Sequence, residues 1–128
     1  MPLVKINLFA GKDPQFQRAL SDAVHEAMIE TIGAPPADKF QIITEHGPGQ
    51  LVFPPEYLDI PHQEQIIFIQ IFLNAGRAVA LKQALYAAIA TRVARLGFDP
   101  KDVIINLVEV KKEDWSFGHG IAQYVPAH

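Results

Sequence analysis

The chain has 128 residues, 49% hydrophobic and 20% charged, a length and balance suited to one domain with a real core. Its net charge of -3 offers no cationic surplus to neutralise phosphates, so nucleic acid is not an expected partner. Cysteine is absent, which excludes disulfide scaffolding, thiolate catalysis and cysteine-bound zinc.

Met1-Pro2-Leu3-Val4-Lys5-Ile6-Asn7-Leu8 reads as a β-strand that starts at the very N-terminus. Proline is small enough for an initiator methionine in front of it to be removed. Removal of Met1 would turn Pro2 into a rigidly held secondary amine. An ordinary α-amino group has a pKa of about 7.7–8.0, a prolyl amine starts somewhat higher, and an apolar pocket disfavours the charged form and lowers it. A base tuned near ambient pH is what proton transfer requires. With Met1 attached, the same nitrogen is a non-basic amide. The plain alternative is that proline is simply tolerated at a strand's first residue.

A helix follows over residues 14–32. Phe16, Leu20, Ala23, Val24, Ala27 and Met28 fall on one stripe, Asp13 is a good N-cap, Pro14 suits the first turn, and Gly33 with Pro35 and Pro36 supplies the stop. Phe40 to His46 reads as the next strand. The segment 47–64 has four prolines and no period, and reads as a connecting loop, either a functional rim, an interface arm or a plain linker. Ile66 to Leu73 is almost continuously apolar, which predicts a strand buried on both faces. Leu81, Leu85, Ala88, Ile89, Val93 and Leu96 mark a second helix ending at Gly97, and Val103 to Val110 closes as a strand. The tail, 111–128, is glycine-punctuated and its stretch Trp115 to Tyr124 suggests a hairpin.

The chain is one unit written twice. Ala10-Gly11-Lys12 recurs as Ala75-Gly76-Arg77, and at the same spacing Val4, Ile6 and Leu8 align with Ile69, Ile71 and Leu73. With one residue lost from the second helical segment, Gly33 matches Gly97, Asp38 matches Asp102 and Glu45 matches Glu109. Units 1–46 and 65–110 are therefore tandem β-α-β units of a single domain, an α+β class. Two right-handed crossovers make a four-stranded mixed sheet with both helices on one face. Leu3, Phe9, Phe68 and Phe72 are left on the other face with no helix to cover them, which argues for self-association through the sheet.

The repeat isolates the places where chemistry differs. Pro2 corresponds to Ile67, which has no chain end to offer. The second helix opens Gly76-Arg77-Ala78-Val79 with no capping side chain and with an arginine where the helix dipole disfavours a cation. Arg77 beside free backbone N–H groups would suit a substrate carboxylate; the alternative is an arginine paired with a nearby acid. Asp38 could orient a water or accept a proton, or be a turn residue like Asp102. Trp115, Phe117 and Tyr124 could wall a pocket or simply pack. The five histidines, His25, His46, His62, His119 and His128, lack metal-ligand spacing, so no metal or cofactor is expected. No apolar run reaches the roughly 18 residues of a membrane span, and no charged segment followed by an apolar one opens the sequence, so no membrane partner and a cytoplasmic location are expected.

On these residues the chain resembles the tautomerase superfamily, most of all the branch containing malonate semialdehyde decarboxylase. The resemblance spans essentially the whole chain. Its specific parts are the Pro2 start, the tandem layout, Ala75-Gly76-Arg77, and Asp102-Val103-Ile104 leading to Asp114-Trp115-Ser116-Phe117-Gly118. It implies a homotrimer, Pro2 as catalytic amine, Asp38 as acidic partner, Arg77 as carboxylate binder and an aromatic wall of Trp115, Phe117 and Tyr124. The decarboxylase has a second arginine two residues before the one matching Arg77, where this chain has Ala75. The first expectation is therefore a tautomerase acting on a small 2-oxo acid such as phenylpyruvate. The alternatives are decarboxylation or hydration chemistry on a 3-oxo acid such as malonate semialdehyde, and a non-catalytic trimer that binds a small anion.

Overall fold

A computed structural model describes residues 2–62 and 65–126. Met1, His128 and the last two residues of the predicted loop lie outside the described residues. The chain runs β1 (Leu3–Phe9), α1 (Pro14–Ile32), β2 (Phe40–His46), β3 (Glu56–Tyr57), β4 (Ile60–Pro61), β5 (Ile67–Asn74), α2 (Val79–Arg95) and β6 (Val103–Val110). One sheet has the order β2-β1-β5-β6; its outer pairs are parallel and the central β1–β5 pair is antiparallel. This is the mixed α+β sheet that the tandem units require.

The duplication is visible in the hydrogen bonds. Val4 pairs with Ile71 and Ile69 with Ile6, so the central register maps onto itself when the two halves are exchanged. The Ala10 N–H donates to the His46 carbonyl at 2.8 Å, and the matching Ala75 N–H donates to the Val110 carbonyl at 2.8 Å. Both Ala-Gly turns need glycine, because Gly11 has φ 113° and Gly76 has φ 120°.

Both helices lie on one face. Val4, Ile6 and Leu8 of β1 and Ile67, Ile69 and Ile71 of β5 meet Leu20, Val24, Ala27 and Met28 of α1 and Leu85, Ile89 and Val93 of α2, all of them buried. Each of these side chains except that of Ala27 contributes about 1.5–3 kcal/mol of transfer free energy. α1 starts as expected: the Asp13 carboxylate accepts from the Phe16 N–H at 2.7 Å, and Gly33 adopts the left-handed C-terminal conformation. Arg92 of α2 bridges to Glu26 and Glu30 of α1 across the helix pair. His25 belongs to the buried side: its Nε2 lies 2.9 Å from the Pro36 carbonyl, and among the described residues its Nδ1 has no partner.

Three expectations need correction. β5 is buried on one face only. Its burial alternates, leaving Phe68, Gln70 and Phe72 half-buried on the side away from the helices, because among the described residues no helix packs there. The loop carries a two-stranded ribbon, β3–β4, whose turn residues Leu58 and Asp59 adopt positive φ. The tail is not a hairpin: it holds a single 3₁₀ turn, Lys112–Asp114, followed by glycine turns at Gly118 and Gly120.

Candidate active site

The antiparallel β1–β5 pair decides which ends meet. Leu3 lies opposite Phe72, so the chain before Leu3 and the residues after Phe72 reach the same end of the sheet. Leu3 is also paired with Phe40, the first residue of β2. Pro2 directly precedes β1 and is buried. It lines a cavity of about 280 Å³ with Leu3, Phe40, Trp115, Ser116 and Phe117. Pro2 thus sits among apolar and aromatic walls, with one hydroxyl residue in the lining.

The tail reaches this cavity because a short chain of contacts holds it. Trp115 and Phe117 stack with ring centroids 5.6 Å apart, and Phe117 meets Tyr124 edge-on at 5.1 Å and Phe40 at 6.2 Å. The Gln123 side chain accepts from the Phe117 N–H at 2.9 Å and donates to the Gly118 carbonyl at 3.0 Å, closing the turn that brings Tyr124 back. The indole N–H of Trp115 donates to Oδ1 of Asn74 at 2.7 Å, at the end of β5.

Asp38 and Arg77 are not in the cavity lining. Asp38 follows α1 in a tight turn, its N–H donating to the Pro35 carbonyl at 2.9 Å. Its charge reaches Tyr124, whose phenol is raised above its ordinary value of 10.0, first by burial and then by repulsion from Asp38. The aligned Asp102 is different: it is buried and bonded by Lys101 at 3.1 Å, a structural acid. Arg77 stands immediately before the N-cap of α2, which is Ala78 and has no side-chain capping bond. Its guanidinium donates to the Asn74 carbonyl at 2.8 Å.

Of the residues singled out in the sequence, Pro2, Trp115 and Phe117 share one cavity. Tyr124 joins them through Phe117, and Asp38 through Tyr124. Arg77 does not line the cavity and is connected to it through Asn74. Sequence reasoning passed over Phe40 and Asn74. Phe40 reads as ordinary strand, and only its pairing with Leu3 puts it beside Pro2. Asn74 carried a faint signal, a polar residue closing an apolar strand just before the Ala-Gly-Arg turn. A larger cavity, about 680 Å³ and lined in part by Phe9, His46 and Phe53, lies at the far end of β1 and contains none of these groups. Among the described residues no group of His, Asp and Glu side chains could hold a metal ion.

Two family models, each described as tautomerase enzyme, match residues 38–118 and 2–59. The chain is 37% identical over 126 residues to the probable tautomerase YusQ of Bacillus subtilis (strain 168), covering 98% of this chain and 99% of that protein. Among solved structures it is similar to the FG41 malonate semialdehyde decarboxylase inhibited by 3-bromopropiolate, with a TM-score of 0.90 and 37% identity over 95% of this chain and 93% of that one. It is also similar to a wild-type fused 4-OT described as a symmetric trimer, with a TM-score of 0.78 and 31% identity over 95% of this chain and 97% of that one.

Proposed function

The chain belongs to the tautomerase family, and from that premise we propose that it interconverts the keto and enol forms of a small 2-oxo acid of the phenylpyruvate kind, with a free Pro2 amine as base. The observation that carries this reading is the burial of Pro2 in a cavity walled by Leu3, Phe40, Trp115 and Phe117. Such walls penalise a cationic amine and keep it neutral near pH 7. A neutral Pro2 takes a proton from the carbon next to the carbonyl and delivers it to the oxygen. Arg77 holds the carboxylate and stabilises charge on the developing enolate. Asp38, whose charge reaches Tyr124, positions the carbonyl or a water. The aromatic walls suit an aryl substituent and exclude water. Asn74 serves the site by holding Trp115 with its side chain and Arg77 with its carbonyl.

The reading requires that Met1 leave the chain, since only then is Pro2 a base. It also includes a homotrimer. The sheet face away from the helices leaves Phe68 and Phe72 half-covered and exposes 46% of Phe40 and 48% of Ile42. Apolar area of that kind calls for a partner, and copies of this chain would supply it as in the trimeric relative.

The test is Pro2→Ala in the processed protein, with ketonisation of phenylpyruvate followed by loss of enol absorbance. Turnover should be abolished while the oligomer stays intact; unchanged turnover discards the mechanism. A second reading has its own support, the likeness to malonate semialdehyde decarboxylase. It needs the opposite protonation state: a cationic Pro2 that polarises the carbonyl of a 3-oxo acid, or an imine that acts as electron sink. Ala75 counts against it, since a second cation is missing beside Arg77.

A further inference from the structure

The two halves of the repeat start their helices differently. Asp13 caps α1 with its own carboxylate, and the aligned position in α2 is Ala78, which cannot. A carboxylate nevertheless reaches that turn, from another strand. Glu109 of β6 accepts from the Gly76 N–H through Oε2 at 3.4 Å and from Lys82 Nζ through Oε1 at 2.9 Å. Its counterpart Glu45 makes no such bond among the described residues. Arg77, the residue after Gly76, is held on its other side by the Asn74 carbonyl. The arginine turn is therefore fixed between a carbonyl of β5 and a carboxylate of β6.

We infer that Glu109 is a positioning residue for Arg77: it holds the N–H of the preceding Gly76, and its negative charge also sets how tightly Arg77 holds a carboxylate. The inference rests on the reading of Arg77 as the carboxylate binder. Stability does not account for the Glu109–Lys82 pair, because exposed ion pairs contribute little. Position does: Gly76 has no side chain to restrict its backbone, and an acceptor on its N–H helps hold the turn. Charge has a second effect. Glu109 stays ionised across the neutral range, being held below its ordinary 4.5 first by the Lys82 hydrogen bond and then by the Lys82 charge, with smaller contributions from the Gly76 N–H and from Arg77. A substrate carboxylate approaching Arg77 therefore meets a resident one, partly screened by Lys82. The result is weaker ground-state binding and easier release of product.

The test uses benzoate as a non-reacting carboxylate and Trp115, the single tryptophan, as the fluorescent reporter. Glu109→Gln keeps an acceptor oxygen and removes the charge. Its Kd for benzoate should fall about two- to fivefold, the scale of one unit charge acting across a solvated gap. KM for phenylpyruvate should fall by the same factor, and the difference from the parent protein should shrink at high salt. Glu109→Ala removes acceptor and charge together, and its KM should rise instead, because the turn is no longer held. Should Glu109→Gln bind benzoate no more tightly than the parent while Arg77→Ala loses binding, the inference is overturned and the Arg77 reading stands. If Arg77→Ala binds benzoate as the parent does, both fall.

Discussion

Trp115 donates its indole N–H to the side chain of Asn74, whose own carbonyl accepts from Arg77. One residue at the end of β5 thus ties the aromatic tail to the arginine turn. Among the described residues the tail makes no ladder of its own, so its place over Pro2 depends on this bond and on ring packing.

Asn74→Leu removes the side-chain acceptor and keeps the branched heavy-atom skeleton. The loss should cost about 1 kcal/mol of stability, which a denaturant midpoint measures. The larger effect should be local: altered Trp115 emission and a clear fall in kcat/KM. A variant with parent-like emission and activity would show that ring packing alone places the tail.

Tyr124 supplies a pH test. Its phenol lies above the ordinary 10.0, through burial first and the Asp38 charge second. The native fold therefore binds that proton more tightly than the unfolded chain. This contribution to stability is complete below a pH of about 10 and is lost as pH rises through the folded value. Asp38→Asn should lower the phenol transition, seen by ultraviolet difference absorbance with Tyr57 and Tyr86 replaced by phenylalanine. No movement would mean that Asp38 does not act on Tyr124.

Ala75→Arg supplies the second cation that the resemblance to the decarboxylase implies at this place. Ala75 is exposed and its N–H is fixed to the Val110 carbonyl, so the backbone should accept a long side chain there. The expected outcome is a rise in malonate semialdehyde decarboxylation with little gain in phenylpyruvate turnover. An absence of change would show that position 75 does not limit that chemistry.

Most of the fold was legible because the chain repeats. The stripe on α1, its cap at Asp13 and its stop at Gly33 are local signals, and each acts where it was read. β5 misled for a physical reason: an unbroken apolar run describes a strand covered on both faces, whichever chain provides the cover, and within one chain only one face is filled. Of the candidate site, Pro2, Trp115 and Phe117 could be singled out in the sequence, and they line one cavity. Phe40, Asn74 and Glu109 could not be. Each becomes informative only through a partner distant in sequence: Leu3 for Phe40, Trp115 for Asn74, Gly76 for Glu109. The capless start of α2 could be read from the sequence, whereas the side chain that holds the turn before it could not.

The central claim is that Pro2 works as a neutral base, and the pKa of its amine tests this most directly. With ¹⁵N-labelled proline, the Pro2 nitrogen can be followed by NMR through a pH titration of the processed protein. The account predicts a titrating amine with its midpoint below 7, lowered by the walls that Phe40, Trp115 and Phe117 form around it. A midpoint near about 9, above an ordinary α-amino group, or a nitrogen that does not titrate because Met1 is still attached, would contradict it.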